Sequence, residues 1–577
     1  MASITAGRLS AVQQAKPFRF GWPSLLQTVL LVVLALAVMA PVLFLTASSF
    51  QLARPGQPAV YGITNWVTAF GQPGIVDAIV NTVIRTAIAV AIALPISISV
   101  AWLLARSDLP GKNWLDLLFW ITFFMPVLPM TLGWILLADP QFGLLNQLVK
   151  GLFGWQAGPF NIYSLAGIVW VHLVTRTIVA QVILLTPAFR NMDSSLEEAS
   201  RSSGVGYLGT MTRVFVPIMA PAITVVMLAS IIFSLESFEV EQVLGPPFKF
   251  YVYSTKIFQL TAREPAQYGA ATALGVVILL SMLPLILLQQ RISRGRRYTT
   301  ISGRYKAQPV ALGRWKWPAV GLLAAMGMVF TVVPLCLLIL GSCMRLFGFF
   351  NLPAPYTGTH WQAVLGDPAF LKSLANSLKL GFGTALAAMV VAALIAYVVV
   401  KSRYFARGLM DILSWLPITI PGVIMGLGLL WLFLEAPLVR PLYGTMFVLI
   451  WATTLSSLTL SVQLSKSHLL QLNDELEECS RVSGGSWPYT FRRVILPLMA
   501  PVLSTVAIVA FISAVRNVAH VAILVTSNTQ PLAIYQLNLM IDGRYEPAAV
   551  IGVVVVLMTT GVAVVGRSVG LRFGIRA

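Results

Sequence analysis

The chain has 577 residues, of which 57% are hydrophobic and only 10% charged. A soluble globular domain carries about 25% charged residues, so the water-soluble classes are excluded and the bilayer must be the main solvent. The net charge of +19 would suggest nucleic acid in a soluble protein. In a chain this apolar it reads instead as the Lys and Arg that cytoplasmic loops of membrane proteins retain.

The first segment, 1–23, is basic (Arg8, Lys16, Arg19) and expected to be cytoplasmic; the chain turns apolar from about Leu25 to Ala47. That run exceeds the roughly 7–15 residues of a signal-peptide core and no small-residue cleavage site follows it, so it is read as a first membrane helix. Spans of about 20 mainly apolar residues are expected near 24–48, 77–105, 113–138, 161–187, 214–240 and 268–290. Six more are expected near 317–342, 373–400, 408–434, 442–465, 494–525 and 547–566. With both termini inside, about two thirds of the 39 basic residues fall in cytoplasmic segments, as the positive-inside rule demands. Residues 291–316 form a basic linker (Arg291, Arg294, Arg296, Arg297, Arg304, Lys306, Arg314, Lys316) without an acid. It serves as a stop-transfer tether and also suits anionic membrane lipid.

The two halves, 24–290 and 317–577, repeat each other. Residues 61–107 align with 356–402 at offset 295: Tyr61 with Tyr356, Trp66 with Trp361, Asn81-Thr82 with Asn376-Ser377, Ser107 with Ser402. A second block, 197–221, aligns with 477–501 at offset 280. Six spans per half give copies of one orientation, hence a pseudo-twofold axis along the membrane normal and a path on that axis.

The second block lies in loops 190–217 and 466–497, which this topology makes cytoplasmic. One copy reads Glu197-Glu198-Ala199-Ser200, Gly204, Val214-Phe215-Val216-Pro217; the other reads Glu477-Glu478-Cys479-Ser480, Gly484, Val494-Ile495-Leu496-Pro497. Carboxylates suit a helix start, each glycine suits a positive-φ turn, and each proline suits the first turn of the next helix. This spacing resembles the EAA loop of ABC importer permeases: Glu-Ala-Ala, three residues, Gly, nine residues, then apolar-x-apolar-Pro. Ala-Ala is replaced here by Ala199-Ser200 and Cys479-Ser480. The alternative is two ordinary loops duplicated with the rest of the chain.

The resemblance implies an all-α polytopic membrane protein of twelve transmembrane helices, arranged as two tandem six-helix type I ABC importer permease units. It implies that each loop couples to one of two copies of a cytoplasmic ABC ATPase, and that a periplasmic or lipid-anchored substrate-binding protein delivers cargo at a bacterial inner membrane. No phosphate-binding G-x-x-x-x-G-K-[ST] occurs. No cofactor or metal is therefore expected on this chain, and ATP with Mg is expected on the partner. No nucleophile–base pair is apparent, and a non-catalytic subunit is expected.

Charges inside spans are costly and are functional candidates. Glu236 and Glu239 share a helix face, and offset 280 sets Glu236 opposite Arg516. These three are expected to line the path, with Glu236 and Arg516 forming part of a gate near its outer end; the alternative places them in water at the surface. Arg85 and Arg176 are expected to pair structurally or to snorkel. The cysteines (Cys336, Cys343, Cys479) show no disulfide or metal spacing.

The segments Leu235-Glu236-Ser237-Phe238-Glu239, Leu244-Gly245 and Tyr253-Ser254-Thr255-Lys256-Ile257 resemble fused permeases of ferric-iron importers, which implies ferric iron as cargo. The second half departs from that pattern at Val515-Arg516-Asn517-Val518-Ala519-His520. A phosphorylated or phosphonate small molecule is the alternative, as an arginine on the path suits an anion. A secondary transporter with two six-helix repeats shares the span count but gives no reason for matched coupling loops.

Overall fold

A computed structural model describes residues 24–53, 57–190, 203–204, 207–294 and 309–572. The first half contains α1 (Ser24–Ser48), α2 (Ile75–Arg106), α3 (Lys112–Phe124), α4 (Val127–Ala138), α5 (Leu165–Arg190), α6 (Val216–Leu235), α7 (Glu239–Leu244), α8 (Tyr253–Ala262) and α9 (Tyr268–Arg294). The second contains α10 (Gly313–Ser342), α11 (Pro368–Lys401), α12 (Arg407–Thr419), α13 (Gly422–Glu435), α14 (Met446–Leu469), α15 (Glu475–Val482), α16 (Leu496–Val515), α17 (Leu532–Ile541) and α18 (Tyr545–Arg572).

Among the described residues, ten helices are long and apolar enough to span a membrane. The third span of each half is not the straight helix expected. The α3–α4 pair bends by 100° and the α12–α13 pair by 110°. Met125 and Ile420 are extended, each directly before a proline (Pro126, Pro421) whose ring disfavours helical geometry in the preceding residue. The α3–α4 pair runs the length of α5: Asp116 near the start of α3 meets Arg190 at the end of α5 (3.3 Å), while Ala138 at the end of α4 accepts from Ile162 just before α5. With each bent pair counted as one broken span, the described residues hold twelve candidate spans, ten of them unbroken.

Two other expected spans are too long. The helix expected to reach 240 ends at Leu235, and the one expected to reach 525 ends at Val515. At the first end, Arg85 Nη2 donates to the Ser234 carbonyl, which also accepts from the Ser237 amide at 3.1 Å; the duplicate helix ends at the equivalent Val515 without an arginine. The prolines of the coupling blocks do not start their helices either. Helix begins at Tyr207 and Trp487, and a wide π turn (Met211–Phe215, Phe491–Ile495) precedes Pro217 and Pro497. A proline has no N–H and crowds the carbonyl four residues back; a widened turn relieves both.

Asp108 accepts from the Leu312 amide (3.0 Å) and Lys316 (3.1 Å), and these partners, the amide first, hold its carboxyl below the ordinary range. Thr28 at the start of α1 meets Tyr404 at 3.0 Å, and Lys401 and Lys466 pair with Asp474 and Asp411. The end of the linker therefore meets the end of α2, and the start of α1 and the second coupling segment meet the end of α11.

The halves are exchanged rather than side by side. Helix α1 of the first half packs on α13 of the second, and α10 of the second packs on α4 of the first. The contacts are twofold copies. A Cβ on Gly428 would lie 2.4 Å from the Pro41 carbonyl oxygen, and one on Gly133 would lie 2.3 Å from that of Pro334. Small residues let helix backbones approach this closely. The outer loops repeat as well, Gln51 bridging Tyr61 as Met344 bridges Tyr356.

Candidate functional site

The bends, together with the ends of α6 and α16, enclose a cavity of about 270 Å³. Its walls come in duplicate pairs: Phe233 with Ser513, Glu236 with Arg516, Ser237 with Asn517 and Val240 with His520 at offset 280, and Met125 with Ile420 and Val127 with Gly422 at offset 295. It therefore lies on the pseudo-twofold axis. Arg176, on its wall, is about 17 Å along the roughly 39 Å of α5. The cavity thus lies a little under halfway along α5, where α6 and α16 end.

Glu236, Glu239 and Arg516 all line this cavity, and so does Arg176. Arg516 donates to the Phe123 carbonyl of the first half at 2.7 Å and lies over the Phe123 ring at 5.7 Å. Arg176 lies over Phe233 at 5.9 Å. Among the described residues neither arginine forms an ion pair, and Glu236 Oε1 has no protein hydrogen-bond partner. Glu236 and Arg516 thus share a chamber without closing a salt bridge.

Against the first-half wall is a buried charge cluster whose His172 and Ser237 reach the cavity lining while Arg85 and Glu241 are fully enclosed behind them. Glu241 on α7 has Oε1 3.1 Å from Arg85 Nε and 2.9 Å from His172 Nε2, and its Oε2 accepts from Ser237 at 2.5 Å. Arg85 also donates to the Ser234 hydroxyl at 2.6 Å. The cluster ties α2, α5 and the end of α6 to α7, and so fixes the segment carrying Glu236 and Glu239. The sequence reading gave Arg85 a structural pairing but missed Glu241 and His172. The duplicate positions are apolar or neutral. Offset 295 takes Arg85 to Leu380 and offset 280 takes Glu241 to Val521; offset 281, which pairs Trp170 with Trp451, takes His172 to Thr453. All three duplicates are buried, so the loss of a whole ionic set in one copy was the available signal.

The Asn-Thr and Asn-Ser pairs that open α2 and α11 also act on this region. Asn81 donates to the Tyr251 carbonyl and Thr82 Oγ1 accepts from the Tyr253 amide (2.9 Å); Asn376 donates to the Asn528 carbonyl and Ser377 Oγ accepts from the Leu532 amide (2.7 Å). They hold the returning loops before α8 and α17.

In the second coupling segment, α15 begins with Glu475, Glu477 and Glu478 in its first turn. Glu477 turns inward: its Oε2 accepts from Arg481 at 3.2 Å and Tyr397 at 3.4 Å, and burial pushes its carboxyl up against the pull of Arg481 and Lys401. Lys401 caps the approach through the Leu472 carbonyl. Glu478 and Cys479 point outward with Leu476 and Val482, the last 91% exposed. Gly484 follows at φ +79°, and Gly204 of the first copy has φ +74°. Glu197, Glu198 and Ala199 lie outside the described residues.

Comparison with known proteins agrees with this geometry. A family model for the inner membrane component of binding-protein-dependent transport systems matches residues 380–573. A ferric transport system permease protein of Actinobacillus pleuropneumoniae is 25% identical over 399 residues, covering 67% of this chain and 57% of its own length. A probable ABC transporter permease protein of Sinorhizobium fredii is 27% identical over 479 residues, covering 79% of this chain and 80% of its own. A putative 2-aminoethylphosphonate transport system permease protein of Salmonella paratyphi A is 28% identical over 251 residues, covering 42% of this chain and 90% of its own.

Proposed function

We propose that this chain, which belongs to the inner membrane components of binding-protein-dependent transport systems, is the fused permease subunit of an ATP-driven importer. The observation that carries the reading is α15. Its inner face is anchored through Glu477 to Tyr397 of α11, its outer face (Leu476, Glu478, Cys479, Val482) is exposed, and the chain leads from it into α16, whose far end sets Arg516 in the cavity. A partner seated on α15 thus has a rigid lever to the mid-depth chamber. In the first half, α6 likewise ends at the cavity, beside Glu236. Two copies of an ATPase holding ATP and Mg bind the face shared by the linker, the start of α1 and the coupling segments, which makes that face cytoplasmic. A binding protein docks on the opposite face.

Ferric iron is the proposed cargo. The reading is supported by the ferric relative and by Glu236 and Glu239, whose hard oxygens suit a hard cation. A phosphonate-bearing solute is the second reading, favoured by Arg176 and Arg516 in the same cavity and by the aminophosphonate relative.

The test is Gly204→Val with Gly484→Val. A Cβ meets nothing within 4 Å at either site, so the change strains only the turn, by about 1–2 kcal/mol each. Membrane levels are expected to stay within about twofold, while ATP-dependent uptake falls at least tenfold, on the order of the coupling energies of linked sites. A thiol cross-linker on Cys479 is expected to capture the ATPase in the parent. Unchanged uptake in the double variant would remove the coupling assignment.

A further inference from the structure

The cavity wall has a polarity that its symmetry alone does not give. The first half contributes Glu236, Glu239, Arg176 and His172; the second contributes Arg516 and His520, with the Asn517 amide and Ser456 hydroxyl beside one another at 3.4 Å. Where the first half has Glu236 the duplicate has Arg516, and where it has Glu239 the duplicate has Ala519. One wall is therefore net acidic and the facing wall net basic.

Charges at mid-depth in a membrane are expensive and normally pair with one another. Among the described residues these do not. Arg516 spends one of its five N–H donors on the Phe123 carbonyl, and Glu236 keeps an oxygen without a protein partner. Direct pairing would have neutralised the set and closed the chamber. Held apart, the two signs face the same space and match a guest that carries both.

We infer that the cavity is a holding site for a dipolar cargo, whose cationic centre meets Glu236 and Glu239 while its oxyanion meets the guanidinium of Arg516 on the facing wall. Two sources supply that chemistry: a zwitterionic amino-oxyanion, or a metal cation that keeps oxyanion ligands. The inference rests on the importer reading and deepens it, since either proposed cargo qualifies only in its dipolar form. The Arg85–His172–Glu241 cluster holds the acidic wall from behind, so that the carboxylates are presented rather than drawn into a pair with Arg516.

Equilibrium dialysis of the whole chain in lipid nanodiscs tests this with radiolabelled probes. The dipolar probes are 2-aminoethylphosphonate and ferric citrate; the singly charged ones are ethylphosphonate and ethylamine. At least one dipolar probe is expected to bind tenfold or more tightly than both singly charged probes, and which one does so identifies the source. Arg516→Gln is expected to weaken that probe at least tenfold and leave ethylamine unchanged; Glu236→Gln with Glu239→Gln is expected to weaken it and leave ethylphosphonate unchanged. Should Arg516→Gln fail to give monodisperse protein, Arg516→Met takes its place. Dipolar probes that bind no better than singly charged ones, or that bind the arginine variant as well as the parent, overturn the inference. If Cys479 still cross-links to an ATPase in that event, only this inference falls; if Cys479 captures none, it is the importer reading that fails.

Discussion

Replacing Glu241 with valine is expected to cost about 3–5 kcal/mol, because it leaves the Arg85 guanidinium buried without its counter-charge. The end of α6, which Arg85 holds at Ser234, and the loop held by Ser237 lose their common anchor in the same step. The second half shows how the site is built without ions, with Leu380, Thr453 and Val521 at the duplicate positions. Arg85→Leu with His172→Thr and Glu241→Val is therefore expected to recover most of the lost stability, since well-packed apolar residues replace a buried ion set at little net cost. Thermal unfolding of the purified chain in detergent reads both results. A Glu241→Val protein that unfolds at the parent temperature would mean that the cluster carries no stability. Uptake separates scaffold from function: the triple variant is expected to fold but to transport poorly, its acidic wall no longer fixed.

Leucine at Gly133 and Gly428 is expected to dissolve the exchange between halves. Each new Cβ would fall within 2.4 Å of a backbone carbonyl oxygen, on Pro334 or Pro41, and no rotamer change relieves a clash with backbone. Overpacking of this kind costs about 1–3 kcal/mol per site and more where the backbone must move. When the chain is expressed as two pieces cut within 295–308, the parent halves are expected to co-purify through the α1–α13 and α4–α10 contacts. The doubly substituted halves are expected to separate. Co-purification at parent yield would show that these contacts do not hold the assembly.

Much of this architecture was legible. The offsets of 295 and 280 recur in the structure as paired bends and paired cavity walls. The offset of 281 around Trp170 and Trp451 has a local cause, the π turn at Leu173–Thr177, which adds a residue to α5 that α14 lacks. The glycines at 204 and 484 could be read because only a positive φ explains a glycine at that turn. Other features were hidden. Arg85, His172 and Glu241 are far apart in the chain, and no spacing announces a tertiary cluster. The direction of Glu477 was equally hidden, since a first-turn carboxylate suits solvent and the helix dipole as well as it suits Tyr397. The bends at Pro126 and Pro421 left a trace in sequence, but hydropathy counts a broken span and a straight one alike.

ATP-dependent uptake into proteoliposomes tests the central claim most directly. The chain is reconstituted with its binding protein and cargo outside and its ATPase and ATP on the coupling face. Uptake is expected only when the ATPase and hydrolysable ATP are both present, and is expected to be lost with the Gly204→Val and Gly484→Val pair. Uptake that proceeds on an ion gradient with the ATPase left out would contradict the account and make the chain a secondary transporter.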